Sequence, residues 1–72
     1  MPIVDTEKLD SLVFGNEETF IKKFIKGDVM DLYNIFYGTH NVCIYYCLES
    51  GQHISDCITW EDFNYFLQEV GN

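Results

Sequence analysis

The chain has 72 residues and carries 12 Asp and Glu against four Lys and no Arg, which gives a formal net charge of −8. All four lysines precede Gly27, so the last 46 residues hold seven carboxylates and no Lys or Arg; such a field disfavours nucleic acid and anionic membranes and attracts cationic protein surfaces. A hydrophobic content of 47% with 17% aromatics excludes a disordered acidic segment and predicts one small acidic domain over residues 1–72.

Two short helices are predicted at the start of the chain. Asp5 or Thr6 is expected to cap the first helix, and Gly15 is expected to end it. Asn16 is the predicted N-cap of the second helix, with Gly27 at its C′ position. Apolar residues at helical spacing support both helices: Leu9, Leu12 and Val13 in the first, and Phe20, Ile21, Phe24 and Ile25 in the second.

The segment from Val29 to Tyr37 fits either a helix or a strand. Asp28 can cap a helix there, and Val29, Leu32, Tyr33 and Phe36 have helical spacing. The segment is also rich in strand-forming residues, and the Gly38–Asn41 stretch that follows suits a hairpin loop. We favour the helix and keep the strand, which would complete a three-stranded meander, as the alternative.

A β-hairpin is predicted in the second half of the chain. Alternation of apolar residues indicates a strand over Asn41–Leu48 and another over His53–Ile58, joined by a three-residue loop with Gly51 in the left-handed conformation. Collecting the aliphatic residues on one face predicts the cross-strand pairs Leu48–Ile54, Tyr46–Asp56 and Ile44–Ile58.

The last element is predicted to be a helix capped by Thr59, with Asp62 at the capping-box position and Gly71 at the end. The resulting fold class is α+β: N-terminal helices, a central antiparallel hairpin or three-stranded meander, and one C-terminal helix packed on the sheet. The apolar stripe of that helix consists of Trp60, Phe63, Phe66, Leu67 and Val70.

Five residues of types that bind zinc lie close together in the sequence: His40, Cys43, Cys47, His53 and Cys57. Their spacing argues against a metal site, because no Cys-x2-Cys pair is present, and Cys43 and Cys47 on one strand lie about 13 Å apart. No base is fixed next to any thiol, so nucleophilic catalysis is not indicated either. We therefore predict no metal, no cofactor and no enzymatic activity.

The predicted register places Cys57 opposite Tyr45 and diagonal to Cys43 and Cys47. A disulfide from Cys57 to one of them is therefore conceivable under oxidising conditions, and the remaining cysteine would stay a free thiol. The start of the chain lacks the features of a signal peptide, and no apolar run reaches the ~20 residues that span a bilayer. With an odd number of cysteines, these features predict a cytoplasmic protein with reduced thiols.

The acidic surface is the strongest functional indication in the sequence. Carboxylates at helical spacing lie about 5–10 Å apart, comparable to phosphates along a nucleic-acid strand. They therefore suit the Arg- and Lys-lined groove of a nucleic-acid-binding protein, although a solubilising role explains surface charge equally well. The predicted partner-binding residues are Asp28, Asp31, Glu49, Glu61, Asp62, Tyr65 and Glu69.

These properties predict a small inhibitor or adaptor that binds a basic, nucleic-acid-handling protein. The profile is similar to that of phage-encoded inhibitors, including anti-CRISPR proteins and DNA-mimic antirestriction proteins, as a likeness of class without a shared motif. The alternative is an interaction module or homodimer that docks through the sheet face carrying Tyr45 and the cysteines, with the acidity serving only solubility.

Overall fold

A computed structural model describes residues 5–71 of the chain. Three antiparallel strands in the order β1-β2-β3 form one sheet, two helices precede it and one follows it, which confirms the α+β class. The residues that bear on a signal peptide, 1–4, lie outside the described part. No helix within residues 5–71 is long and apolar enough to cross a membrane. The elements are α1 (Thr6–Phe14), α2 (Glu17–Phe24), β1 (Val29–Tyr37), β2 (Asn41–Leu48), β3 (His53–Thr59) and α3 (Trp60–Gly71).

The two N-terminal helices follow their predicted caps with two differences. The Asp5 side chain accepts a hydrogen bond from the Lys8 backbone N–H at 3.1 Å, so Asp5 is the cap of α1. Asn16 occupies the N-cap position of α2, but its side chain instead donates to the Leu12 carbonyl at 2.8 Å and satisfies the end of α1. Helix α2 ends at Phe24, earlier than the predicted end at Gly27, and the backbone of Ile25 is already extended.

The helix favoured for residues 29–37 is wrong, and the strand alternative is correct. Strand β1 pairs with β2, but its register shifts between Val29 and Asp31 and again between Leu32 and Asn34. Each shift adds one residue to β1, as in a β-bulge. Positions that face the helices are therefore spaced by three along this part of β1, as Val29, Leu32 and Ile35 are, and this spacing resembles a helix.

The predicted β2–β3 register is also wrong, by two residues. The loop has the expected three residues, and Gly51 has the expected positive φ, +92°. A three-residue loop, however, closes on Leu48 and Gln52, and the Leu48 N–H donates to the Gln52 carbonyl at 2.9 Å. Every pair along the ladder follows from this closing pair.

Because the error is an even number of residues, the face assigned to each side chain is unchanged. Tyr46 pairs with Ile54, not with Asp56, and both Tyr46 and Ile54 still point to the same side. On the opposite side of the sheet the cross-strand pairs differ from the predicted ones: Cys57 pairs directly with Cys43, not with Tyr45.

The core lies between the sheet and the helices. Phe20 of α2 contacts Phe66 of α3 at a ring-centroid distance of 5.1 Å, and both side chains are fully buried. The expected Thr59 cap is confirmed, since its hydroxyl accepts a hydrogen bond from the Asp62 N–H at 3.1 Å. We call the sheet face packed against the helices the inner face; its buried residues are Leu32, Ile35, Val42, Ile44 and Tyr46.

The opposite sheet face, which we call the outer face, is not covered by any of the three helices. Its central row consists of Phe36, Cys43 and Cys57, paired side by side across the three strands. Phe36 is 58% exposed there, so apolar surface remains open to solvent.

Candidate interaction surfaces

All seven predicted partner-binding residues are exposed. They do not form a single stripe, because the fold distributes them between the two ends of the sheet and the surface of α3. Five of the carboxylates fall into two groups. We call Asp28, Asp31 and Glu49 the hairpin-end group, and Glu61 and Asp62 the helix-start group.

The hairpin-end group is assembled by the pairing of β1 with β2. The Asp28 carbonyl accepts a hydrogen bond from the Glu49 N–H at 2.8 Å, which places these two residues side by side although they are far apart in sequence. Asp31 pairs with Cys47, two positions before Glu49, and so lies at the same end of the sheet. This end therefore carries three carboxylates on adjoining strands.

The helix-start group lies at the opposite end of the sheet. Glu61 and Asp62 form the first turn of α3, where the helix dipole favours negative charge. The preceding residue, Trp60, fixes this turn by donating its indole N–H to the Gly38 carbonyl at 2.8 Å. Because β2 separates the two ends, the helix-start and hairpin-end groups lie roughly 25 Å apart along the sheet.

The two remaining predicted residues lie further along α3. Tyr65 is 58% exposed. Glu69 forms an ion pair with Lys23 of α2, with 3.3 Å between Nζ of Lys23 and Oε1 of Glu69. Its charge is therefore partly compensated, unlike that of the other predicted carboxylates, and the pair lies open to solvent, where it contributes little to stability.

The ion pairs of the described residues involve acids outside the hairpin-end and helix-start groups. Glu18 pairs with Lys22 at 3.0 Å, and Asp10 accepts a hydrogen bond from the Tyr37 hydroxyl. Within residues 5–71, the carboxylates of the hairpin-end and helix-start groups have no Lys within ion-pair distance and no side-chain hydrogen bond. Their charge is thus directed entirely to solvent or to a partner.

The outer face offers a second, apolar surface. Tyr33, at a bulge of β1, contacts His53 of β3 edge-on with 5.9 Å between ring centroids. The two rings approach each other from the strands on either side of β2, and Cys47, the cross-strand partner of His53, is only 5% exposed. Tyr33 remains 47% exposed and Tyr45 is half-buried. The tyrosines of the predicted Tyr/Cys surface are therefore at least partly accessible, whereas the Cys47 thiol is buried.

The two other thiols of the outer face are direct cross-strand neighbours. Cys57 is exposed and Cys43 is half-buried, and the Cys43 thiol also lies 3.7 Å from Oδ1 of Asn41, to which it donates. Interaction with the Cys43 side chain is the main cause that raises the pKa of Cys57; desolvation and the charges of Cys43 and Asp56 add to it. The predicted β2–β3 register did not place these two cysteines opposite each other because it was displaced by two residues. The three-residue loop length contained the information needed to find it.

The five candidate zinc ligands are brought together only in pairs, Cys43 with Cys57 and Cys47 with His53. His40 lies in the turn between β1 and β2, while His53 begins β3 at the other end of the sheet. Among residues 5–71, no group of three or more His, Cys, Asp or Glu side chains could hold a metal ion.

Comparison with known proteins gives no relative from which a role could be transferred: no family model, curated protein or solved structure matches the chain. Its function is therefore inferred from its own surface chemistry.

Proposed function

We propose that this protein is a small non-enzymatic inhibitor or adaptor that binds a basic, nucleic-acid-handling protein in the cytoplasm. The observation that carries the proposal is the set of exposed, uncompensated carboxylates in the hairpin-end and helix-start groups. The contact is made with the partner's Arg and Lys side chains, and neither nucleic acid itself nor a membrane is a ligand.

The distribution of charge supports a directed role beyond solubility. A net charge of about 2–8 in magnitude already suffices to keep a small domain soluble. Here the last 46 residues alone carry seven carboxylates without a Lys or Arg, so the negative charge is concentrated in one part of the chain. Two of the chain's lysines form ion pairs with Glu18 and Glu69. Neither of these acids belongs to the hairpin-end or the helix-start group.

A nucleic-acid-binding groove suits two separated acidic groups because its basic side chains contact phosphates at several positions along its length. Such grooves bind phosphates through Arg and Lys and release counterions when they do so. The two groups lie roughly 25 Å apart, so a partner that contacts both must present basic side chains over a comparable distance. Small phage-encoded inhibitors such as anti-CRISPR and antirestriction proteins share this overall profile, and DNA mimicry is the mode of action proposed here.

The test is capture of a partner from a lysate of the source cell, or of its host, followed by elution with competing duplex DNA or RNA and, in parallel, with salt. The expected result is a nucleic-acid-binding protein that both the competitor and moderate salt release, because the exposed charges are screened within about 10 Å at 0.1 M salt. A partner that resists both treatments would contradict the proposal.

Charge-neutral variants locate the contact. Asp28→Asn with Glu49→Gln removes two charges from the hairpin-end group, and Glu61→Gln with Asp62→Asn removes two from the helix-start group. The matched control, Glu7→Gln with Glu18→Gln, removes the same charge from the exposed N-terminal helices. We expect both test pairs to weaken binding at least tenfold, about 1.4 kcal/mol, while the control changes it much less. Equal losses in all three would indicate only a net-charge effect.

The outer face favours a second candidate function, an interaction module that forms a homodimer. The supporting observation is the exposure of Phe36 and Tyr33 on a face without a covering helix. Two copies of a −8 chain repel each other, so this dimer should strengthen as salt rises, opposite to the behaviour of a basic partner. Sedimentation of the wild type and of Tyr45→Lys across a salt series separates the two: a monomer at every salt concentration excludes the dimer.

A further inference from the structure

Cys43 and Cys57 lie directly opposite each other in the β2–β3 ladder. In an antiparallel pair, hydrogen-bonded and non-hydrogen-bonded residue pairs alternate, and side chains are closest in the non-hydrogen-bonded ones. Leu48 and Gln52 form a hydrogen-bonded pair next to the loop. Counting outward from there, the pair of Cys43 with Cys57 falls on a non-hydrogen-bonded position.

The β1–β2 ladder gives the same assignment independently. The Gly38 N–H donates to the Asn41 carbonyl at 2.9 Å, so this closing pair is hydrogen-bonded and the pair of Phe36 with Cys43 is hydrogen-bonded too. The backbone groups of Cys43 therefore point toward β1 and away from β3. A non-hydrogen-bonded pair has Cα atoms about 4.5 Å apart, within the range of about 4.4 to 6.8 Å that disulfides span.

We propose that Cys43 and Cys57 form a reversible dithiol–disulfide couple on the outer face, oxidised by low-molecular-weight disulfides such as glutathione disulfide. The two residues are direct cross-strand partners at a non-hydrogen-bonded position of the ladder, where side chains approach most closely. Cys57 is exposed, which gives a small disulfide access to the pair. This proposal is independent of the partner-binding function proposed above.

The exchange occurs in two balanced steps. One of the two thiols, as its thiolate, attacks a sulfur of the small disulfide; the small S–S bond breaks, and one small thiol leaves. The second protein thiolate then attacks the resulting mixed disulfide, which forms the Cys43–Cys57 bond and releases the second small thiol. The protein loses two electrons and two protons, and the small disulfide gains both.

The third thiol is not part of this couple. Cys47 lies on the same strand as Cys43, four residues along, so their side chains are about 13 Å apart. Its cross-strand partner is His53, and it is nearly buried, 5% exposed. Cys47 therefore serves as an internal reference that should stay reduced while the other two react.

The geometry indicates a bond that a reductant can reach, while the raised pKa of the Cys57 thiol slows its formation at neutral pH. The pair lies at an exposed position, and a reductant reaches it as easily as the oxidant does. Exposed disulfides are the labile ones, and disulfides in a reducing cytoplasm are typically transient or redox-sensing. The couple thus fits a cytoplasmic protein whose thiols are reduced at rest.

The test is incubation of the folded, reduced protein with glutathione disulfide, followed by alkylation and a non-reducing digest with chymotrypsin and a glutamate-specific protease. These enzymes cleave at Tyr45, Tyr46 and Glu49, so each cysteine lies in a different peptide. The expected product is a Cys43–Cys57 linked peptide pair in monomeric protein, reversed by dithiothreitol. The matched variant Cys47→Ser should form the same bond at the wild-type rate.

The variants Cys43→Ser and Cys57→Ser should lose the intramolecular bond completely. Three outcomes with the wild type would overturn the proposal: a linkage that includes Cys47, disulfides between chains only, or stable glutathione adducts without the intramolecular bond. Since the wild-type peptide map alone decides between these outcomes, the conclusion does not depend on the folding of any variant.

Discussion

The hydroxyl of Tyr37, at the end of β1, donates a hydrogen bond to Oδ1 of Asp10 in α1 at 2.5 Å. This contact joins the first helix to the sheet through a charged acceptor. The Tyr37 ring is half-buried beside Trp60 and Phe63, with centroid distances of 6.2 and 5.8 Å. The contact therefore joins α1 to an aromatic group formed by β1 and α3.

Tyr37→Phe should destabilise the protein by about 1.5 kcal/mol, since it removes a hydrogen bond to a charged group and leaves the ring in place. Urea unfolding measures the change. Tyr65→Phe is the matched control: Tyr65 is exposed, and its loss should change stability by less than about 0.5 kcal/mol. If the loss comes from the Asp10 contact, Asp10→Asn in the Tyr37→Phe background should add much less than it does alone.

The same tyrosine makes stability depend on alkaline pH. Burial, together with the hydrogen bond and charge of Asp10, raises the pKa of Tyr37 well above its usual value. Burial, and then Asp56, raise the pKa of Tyr46. Raised values favour the protonated folded state, so this stability is complete below about pH 10 and is lost as the pH rises above it.

We therefore expect the urea midpoint to fall between about pH 10 and pH 12, and to fall less steeply in Tyr37→Phe than in the wild type. Phenolate absorbance recorded in parallel should show these two tyrosines ionising together with unfolding. Equal slopes for the two proteins would show that Tyr37 does not contribute.

Most elements of this fold could be predicted from the sequence because local signals determine them. Asp5 and Thr59 cap their helices as expected, and Gly51 adopts the positive φ that its loop requires. The failure at residues 29–37 has a physical cause: two extra residues in β1 change the spacing of the residues that face the helices from two to three. Spacing alone cannot distinguish a bulged strand from a helix.

The candidate site could be predicted only in its composition. Charged residues were expected on the surface, and all of the predicted ones are exposed. Their grouping depends on contacts between residues distant in sequence: Asp28 meets Glu49 only because β1 is a strand, and Lys23 reaches Glu69 across 46 residues. No local pattern carries that information.

The aromatic core predicts a sharp contrast between two phenylalanines. Phe20 is fully buried and contacts Phe24 and Phe66, whereas Phe36 is 58% exposed on the outer face. Phe20→Ala should cost about 3–5 kcal/mol, a large share of the stability of so small a domain. Phe36→Ala should stay within about 0.5 kcal/mol. Urea unfolding followed by circular dichroism measures both, and a comparable loss in the two variants would contradict this assignment of the core.

The Thr59 cap gives a prediction that separates two roles of one residue. Thr59 ends β3 and also accepts the Asp62 N–H at the start of α3. Thr59→Ala should destabilise the protein by about 1 kcal/mol through the lost cap. Thr59→Ser keeps the hydroxyl but removes the β-branch that favours strands, so it should retain nearly full stability if the cap dominates. If Ser costs as much as Ala in urea unfolding, the contribution of Thr59 comes from strand β3.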